Sequence, residues 1–370
     1  MNKKLMIYPF NKRVNSIAKY AQLLENYILI AAVSPKSYGY EGKDISCIDG
    51  SSFVGITITS AFQESLEKCD SVLFSASTFL IDLSYYEERI QEAFNYNKEV
   101  LITKELAENF ILNKKNIPSN VKVLGDNPPG KKISYTEIKH IQEIPVPVMT
   151  IFQIGEFCNG FDTQLLITKR FEEEGYRVSK ISSCPLGSIF GMHMLPDYIY
   201  QSNMTYEDKI VSFNHFLISI IDEEQPDILL LQIEEAILPY NDKVTNHFGV
   251  IPEIVAHAAQ ADIGILSLYY NDFYDKEYLD HLRAFCRYTL NIEINYINMA
   301  NTTMSIQEFD IMKPIHYVLV DWNIVIHSIS SDYKNYDCLF FNTYDLSSVD
   351  TVYYDIINHL SQNKETVRIW

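Results

Sequence analysis

Apolar runs of strand length alternate with helical periodicity along this 370-residue chain. Short continuous apolar runs predict buried strands, and apolar positions spaced three and four apart predict the helices between them. Strands that alternate with helices form a parallel sheet with helices on both faces. In residues 1–147 the predicted strands are 5–8, 28–33, 71–74, 100–103 and 121–124, and the predicted helices are 17–27, 62–68 and 85–96.

A second series of the same kind follows. Breaker and charged residues at 126–132, then Pro145 and Pro147, separate the two series. We therefore predict two doubly wound α/β domains with parallel sheets, a Rossmann-like domain at 1–147 and a degenerate P-loop-like domain at 148–370. The predicted strands of the second domain are 149–154, 178–182, 227–233, 263–268, 292–297, 317–320 and 339–341, and its predicted helices are 206–224, 247–260, 278–288 and 351–362, besides one after residue 160.

A predicted strand and helix surround a glycine-bounded turn in the middle of the chain. Gly155 and Gly160 occupy the two glycine positions of the phosphate-binding loop pattern G-x-x-x-x-G-K-[ST]. The lysine position of that pattern holds Phe161, and the hydroxyl position holds Asp162. A threonine follows one residue later, at Thr163. The spacing therefore predicts the shape of a phosphate loop without its usual ligands.

The altered positions affect phosphate and magnesium differently. In working loops the lysine neutralises phosphate charge and the hydroxyl holds Mg²⁺. Here Asp162 would lie near the phosphate, and like charges about 4 Å apart repel by roughly 4 kcal/mol at a near-surface dielectric. Lys169 and Arg170 lie about two turns further along the helix, too far to replace the missing lysine. We predict that the ring of Phe161 is buried and closes the site, because burying such a ring stabilises the folded protein by about 1.5–3 kcal/mol.

Two interpretations of the loop stay open. In one, the turn between strand and helix has kept its shape and lost its ligand. In the other, backbone N–H groups still hold a nucleotide with Mg²⁺ at the helix N-terminus. The candidate nucleotide-binding residues are then Gly155, Asn159, Gly160, Asp162 and Thr163.

The apolar strand at 227–233 ends in two carboxylates, Glu234 and Glu235. A buried strand ending in an acid is typical of a Walker B segment, whose carboxylate reaches Mg²⁺. Glu234 is therefore a candidate metal ligand, although many α/β strands end in an acid. If the strand order follows the usual plan, Glu234 lies beside the loop at Gly155.

Other candidate pocket residues follow predicted strands, where ligands bind in parallel sheets. Lys36 lies in a polar loop after the second strand, and Gly191 and His193 interrupt an apolar stretch. A further group is aromatic and could line a pocket or a partner surface; its members are Tyr269, Tyr270, Phe273 and Tyr274. No G-x-G-x-x-G fingerprint and no H-E-x-x-H motif occurs, so we predict neither NAD nor a zincin site.

The charge and composition of the chain argue against several classes of binding partner. A net charge of −18 argues against nucleic-acid binding and against an anionic membrane surface, since both need clustered Lys and Arg. No apolar run approaches the roughly 20 residues that span a bilayer. The six cysteines lack metal-site spacing. We expect free thiols and a cytoplasmic protein, with Cys158 and Cys184 near the loop end of the second sheet.

The chain resembles a family of bacterial peptide maturation system proteins. The segments that carry the resemblance are MIYPFNK, VSPKSYGYEGKD, TSAFQESLEKCDSVLF, IGEFCNGFDTQLLITKRFEEEGYRVSKI, FGMHMLP and ILSLYYNDF. Such proteins come from gene clusters for ribosomally made, cysteine-rich peptide natural products. The resemblance implies three partners, namely a precursor peptide, a radical S-adenosylmethionine maturase and a small acyl-carrier-related protein. More distantly, the chain resembles two-domain enzymes related to dethiobiotin synthetase. Those enzymes need a lysine in the phosphate loop, and Phe161 occupies that position here.

These observations support two hypotheses. The first is an accessory protein of peptide maturation that binds the precursor peptide, the maturase or the carrier protein without catalysing. The second is a nucleotide-dependent ligase or kinase, in which the atypical loop cradles phosphate and Glu234 or Asp162 holds Mg²⁺.

Overall fold

The computed structural model describes residues 2–77, 82–126, 140–240, 245–271, 274–304 and 317–362. Residues 127–132 of the predicted linker, and Phe273, lie outside these ranges. The chain divides into two compact units, the first made of Met1–Asp126 with Pro185–Met194 and the second of Asn127–Cys184 with Leu195–Trp370. The domain boundary near residue 147 stays a prediction, and the segment Pro185–Met194 clusters with the first unit.

The first unit contains a six-stranded parallel sheet. Its strands are β1 (Lys3–Tyr8), β2 (Tyr27–Val33), β3 (Ile58–Thr59), β4 (Ser71–Phe74), β5 (Glu99–Ile102) and β6 (Val121–Val123), and its helices are α1 (Asn15–Lys19), α2 (Phe62–Lys68), α3 (Leu83–Asn95) and α4 (Lys104–Leu112). The strand order is β3-β2-β1-β4-β5-β6. The order reverses between β1 and β4, so helices cover both faces, as predicted for a doubly wound sheet.

Three elements of the first unit differ from the prediction, one of them β3, which was not predicted. The helix predicted at 17–27 ends at Lys19 and is followed by a 3₁₀ turn, Ala21–Leu23. Tyr27 pairs with Lys3 in the sheet, and this pairing overrides the helical pattern of the preceding residues. Helix α4 was not predicted, although its buried Leu106 and Phe110 are spaced by one helical turn.

The second series of elements builds a larger sheet and a separate two-stranded sheet. Its strands are β7 (Val148–Gln153), β8 (Val178–Ser182), β9 (His193–Met194), β10 (Ile228–Ala236), β11 (Ile263–Leu268), β12 (Ile294–Met299), β13 (Thr302–Met304), β14 (Tyr317–Leu319) and β15 (Leu339–Phe341), and its helices are α5 (Gly160–Glu173), α6 (Tyr206–Glu224), α7 (Val250–Ala259), α8 (Lys276–Thr289), α9 (Trp322–Asp332) and α10 (Leu346–Ser361). The seven-stranded sheet has the order β15-β12-β11-β7-β10-β8-β9.

Strand β7 occupies the middle of this sheet, with β10 and β11 as parallel neighbours. All six of its residues are buried, which explains its continuous apolar sequence. The predicted fold class, two doubly wound parallel α/β sheets, is confirmed. The strand predicted at 317–320 is an exception, because β14 pairs antiparallel with β13 and stays outside the large sheet. Helix α9 was not predicted, and α10 begins at Leu346 rather than at 351.

Among the described helices, none combines the length and apolarity that a membrane crossing requires.

Glu99, at the start of β5, anchors an ionic network in the first unit. Its carboxylate accepts hydrogen bonds from Lys3 Nζ at 2.9 Å, from Ser71 Oγ at 2.8 Å and from Lys122 Nζ. Burial by itself would raise the pKa of Glu99, but these hydrogen bonds outweigh it and lower the pKa from 4.5 to about 2. The folded state therefore binds the ionised form of Glu99 more strongly than the unfolded chain does.

We predict that Glu99→Gln lowers the free energy of unfolding by about 1–3 kcal/mol at pH 7. Because the folded pKa is depressed, the difference from wild type should be constant above about pH 4.5, shrink as the pH falls, and vanish near pH 2. Urea unfolding at several pH values measures it. Glu87→Gln is the control, since the Glu87–Lys115 pair is more exposed and should matter little. A pH-independent deficit for Glu99→Gln would contradict this account.

Candidate functional site

The glycine-bounded loop lies where the fold predicts a ligand site. It follows the carboxyl end of β7 in the middle of the sheet and leads into α5 at Gly160. Just before the first glycine, the backbone N–H of Ile154 donates a hydrogen bond of 3.1 Å to the Ser267 carbonyl on the neighbouring strand. In parallel sheets, ligands bind in the crevice at this end of the strands. Sequence reasoning therefore placed the loop correctly.

Two loop residues, Phe157 and Asn159, adopt left-handed backbone conformations with φ of 59° and 60°. A non-glycine residue pays strain energy there, so neighbouring contacts must stabilise it. The Asn159 side-chain amide donates to Asn301 Oδ1 and to Thr343 Oγ1, each at 3.2 Å. Asn298, at the end of β12, donates to the Cys158 carbonyl at 2.9 Å. Polar side chains beyond β12 and β15 thus hold the loop in its strained conformation.

The space beside Gly155 is filled by tyrosine hydroxyl groups. A Cβ atom on Gly155 would overlap the hydroxyls of Tyr240 and Tyr269. The Tyr269 hydroxyl donates to the Glu156 carbonyl at 2.8 Å and lies 2.8 Å from the Tyr240 hydroxyl. Because its single hydrogen goes to Glu156, Tyr269 accepts from Tyr240. Gly155 is therefore required for close packing against the protein itself.

Tyr317 completes what we call the tyrosine cluster, defined as Tyr240, Tyr269 and Tyr317. Its ring packs against Phe157, with centroids 5.0 Å apart, and against Tyr269 at 6.0 Å. Burial raises the pKa of all three phenols above the ordinary value, so they are neutral at physiological pH. The cluster brings hydrogen-bonding groups to the loop but no positive charge to balance a phosphate.

The residues at the altered positions of the loop are themselves buried. Phe161 is 7% exposed, which confirms its predicted burial, and Asp162 is also 7% exposed. Thr163 is fully buried, and its hydroxyl donates to the Asn159 carbonyl at 2.9 Å within the first turn of α5. The hydroxyl hydrogen of Thr163 is therefore used within the helix.

Beneath the helix N-terminus, Gly160 allows α5 to approach two glutamines of the sheet. A Cβ at this position would overlap Gln153 Oε1 and lie 3.5 Å from Gln232 Nε2. Gln153 donates to the Glu234 carbonyl at 2.8 Å, and Gln232 accepts from Ser182 Oγ at 2.7 Å. Both glutamines are almost completely buried in otherwise apolar strands. They form a polar layer that fixes where α5 begins.

Glu234 lies beside the loop strand, as expected from the usual strand order. Its backbone carbonyl accepts from Gln153, and its N–H donates to Ser183 Oγ at 2.7 Å. The side chain of the next residue, Glu235, accepts from the Tyr200 hydroxyl at 2.7 Å. Within the described ranges, no three His, Cys, Asp or Glu side chains are grouped so as to hold a metal ion. A metal role for Glu234 stays a prediction.

The other candidate pocket residues fall in separate units. Lys36 is exposed at the start of a 3₁₀ turn in the first unit. Gly191, with φ of 69°, packs its Cα against the Glu25 carboxylate, and His193 is partly exposed in β9. In the second unit, Tyr270 is half-buried and its N–H donates to the Thr302 carbonyl at 2.8 Å.

Two cysteines match the expectation from the sequence, and several residues around the loop were missed by it. Cys158 and Cys184 are free, buried thiols, as expected. Sequence reasoning missed two members of the tyrosine cluster. Tyr240 lies in a stretch without a distinguishing pattern, and Tyr317 was predicted only as the first residue of a strand. Sequence reasoning also missed the supporting polar residues; a polar residue at or just beyond the end of an apolar strand was the available signal for Gln153, Gln232, Asn298, Asn301 and Thr343.

Comparison with solved structures supports the fold. A DUF1611 family protein from Anabaena variabilis ATCC 29413 matches with a TM-score of 0.62 and 10% identity, over 98% of this chain and 100% of that chain. At this identity the match shows the α/β fold alone. No family model matches the sequence, and no curated protein matches it.

A synthase and a ligase are more remote structural neighbours. Cobyrinic acid a,c-diamide synthase from Mycobacterium smegmatis, solved with an ATP analog and magnesium, has a TM-score of 0.35 and 9% identity, over 61% of this chain and 100% of that one. A pseudomurein peptide ligase type C from Methanothermus fervidus has a TM-score of 0.27 and 11% identity, over 80% of this chain and 44% of that one. At these TM-scores neither carries an argument about activity.

We predict that Phe161→Lys lowers the free energy of unfolding by about 2–4 kcal/mol, because it replaces a buried ring with a charge. The variant should also fail to bind ATP with Mg²⁺ more tightly than about 1 mM in calorimetric titration. Phe161→Leu, which keeps an apolar side chain, is the stability control. Phe161→Lys combined with Asp162→Thr is the fair test of latent nucleotide binding. ATP binding by the single variant with an unchanged melting temperature would refute the closed loop.

We also predict that Gly155→Ala destabilises the protein by about 1–3 kcal/mol, because its methyl group collides with the tyrosine cluster. Removing the nearest ring by Tyr240→Ala should relieve part of the collision, since the overlap with the Tyr269 hydroxyl remains. The double variant should therefore lose at least about 0.5 kcal/mol less than the sum of the single variants. Denaturant unfolding measures the cycle. Gly155→Ala with Tyr288→Ala, on an 81% exposed tyrosine of α8, should be additive; additivity in both cycles would contradict the packing argument.

Proposed function

We propose that this chain is a non-catalytic accessory protein of a peptide natural product maturation system. In this role it binds the precursor peptide, the radical S-adenosylmethionine maturase or the acyl-carrier-related protein. The observation that supports a binding role is the closed loop. Where a P-loop enzyme admits phosphate, this chain places neutral tyrosine hydroxyls bonded to its own backbone at Glu156.

The energetics of the loop favour this proposal over phosphate binding. A phosphate would have to displace the hydroxyls beside Gly155 without gaining a lysine at position 161. Asp162 would also add a negative charge close to it. Each lost hydrogen bond costs about 0.5–1.5 kcal/mol net, and the like-charge repulsion adds to that cost. The loop is therefore best explained as a retained structural element.

The peptide maturation partners come from the family resemblance and not from the loop. The segments that carry the resemblance include the loop itself and lie in both units. An accessory protein of this kind needs surface for polypeptides more than a pocket for a small molecule.

We predict that the tagged protein captures at least one of the three cluster proteins, namely precursor peptide, maturase or carrier protein, when they are produced together. Capture should survive 0.15 M salt and washing. An unrelated protein of similar negative charge is the control, because a net charge of −18 can attract basic proteins without specificity. Failure to retain any of the three above this control would count decisively against the accessory role.

A nucleotide-dependent ligase or kinase is the second candidate, and one observation favours it. The loop keeps both glycines at the carboxyl end of the central strand, and α5 presents its N-terminal N–H groups there. Glu234 lies on the neighbouring strand, in the place of a Walker B acid. In the ATP titration described for Phe161→Lys, wild-type binding tighter than about 1 mM would revive this candidate.

A further inference from the structure

The loops at the carboxyl end of the first sheet converge at the point where its strand order reverses. That point lies between β1 and β4. The Asn11 side-chain amide, after β1, donates to Ser75 Oγ, after β4, at 3.0 Å. The hydroxyl of Tyr38, in the loop after β2, is in hydrogen-bonding contact with the hydroxyl of Ser77. In doubly wound sheets, ligands bind in the crevice at such a reversal.

One hydroxyl at this point has a hydrogen that the protein itself does not use. Tyr8, the last residue of β1, donates to the Tyr85 hydroxyl at 2.8 Å, and Arg89 donates to the same oxygen at 3.2 Å. The Tyr85 oxygen therefore accepts two hydrogen bonds, and its own hydrogen has no acceptor among the described residues. A hydroxyl that accepts from a phenol and a guanidinium is a stronger donor to a third group, because hydrogen bonds in a chain polarise one another.

Aromatic rings lie near this hydroxyl. Tyr85 is in the first turn of α3 and is half-buried. Burial raises the pKa of Tyr38, and the nearby phenols of Tyr40 and Tyr85 raise it further, so the three side chains are neighbours. The rings of Tyr38 and Tyr40 meet edge to face, with centroids 6.2 Å apart. Half-buried rings beside an unused donor suit a ligand with a flat apolar body and one polar atom.

The charges around Tyr85 favour an uncharged ligand. The guanidinium of Arg89 is paired with the Glu92 carboxylate at 2.6 Å, so its positive charge is already balanced. Glu88, exposed three residues after Tyr85, lies on the same side of the helix and would repel an anion. The site therefore offers a hydrogen bond but little net positive charge for a carboxylate or phosphate.

We propose that the reversal site, defined as Tyr8, Tyr38, Tyr85 and Arg89, binds a small uncharged aromatic carbonyl compound whose oxygen accepts from the Tyr85 hydroxyl. A carbonyl oxygen has two lone pairs and accepts from a phenol without carrying a charge. The aromatic ring of the ligand packs beside Tyr38. Binding at the reversal site goes beyond the accessory role and is independent of it, since it uses neither the loop at Gly155 nor a cluster protein.

Ligand-observed NMR titration of the whole chain with benzamide tests the proposal. Wild type should bind benzamide with a dissociation constant of about 10 mM or below, as expected for a ligand of this size. Tyr85→Phe keeps the ring and removes the donor, so it should weaken binding by about threefold to tenfold. Tyr27→Phe is the matched control and should bind like wild type, because the Tyr27 hydroxyl bonds to Glu99 at the opposite end of the same sheet. Thiobenzamide, whose sulfur is a weak acceptor, should bind wild type more weakly by about threefold or more.

Absence of benzamide binding by wild type at about 10 mM would overturn the proposal. Equal binding by wild type and Tyr85→Phe would also overturn it, and so would an equal loss in Tyr85→Phe and Tyr27→Phe. Benzoate that binds wild type as tightly as benzamide would reject the uncharged ligand. If Tyr85→Phe does not fold, benzamide and thiobenzamide on wild type decide alone, and equal affinities reject the proposal. Capture of the cluster proteins tests the accessory role separately and does not bear on benzamide binding.

Discussion

The contact between Gly155 and the tyrosine cluster is the constraint on which the rest of the candidate site depends. The Tyr269 hydroxyl bonds to the Glu156 carbonyl, and Tyr240 bonds to Tyr269. Gly155 permits this only because it has no Cβ. Once the hydroxyls are in place, the loop has neither the room nor the positive charge that a phosphate needs. Under the proposed accessory role, a loop shape that elsewhere serves catalysis here serves packing.

Buried polar groups around the loop make this arrangement specific. Glutamines on β7 and β10 fix the start of α5. Asn301 beyond β12 and Thr343 beyond β15 hold Asn159 in its left-handed conformation. A buried polar group that loses its partner costs about 1–3 kcal/mol, so these contacts penalise any displaced loop. They also stabilise the strained backbone at Asn159.

The sheets of the two units differ in how fully they are covered. In the second, the central strand is fully covered and its loop is closed by its own side chains. In the first, β2 leaves uncharged backbone and two exposed isoleucines at the margin of the sheet.

The sequence by itself determined the fold class, most strands and the position of the loop, because burial in a parallel sheet leaves continuous apolar runs that are read locally. It also determined the burial of Phe161, since removing such a ring from water stabilises the fold by about 1.5–3 kcal/mol. The tertiary structure alone decided what closes the loop. Tyr240, Tyr269 and Tyr317 are far apart in the chain, and only the strand order brings their hydroxyl groups together at Gly155.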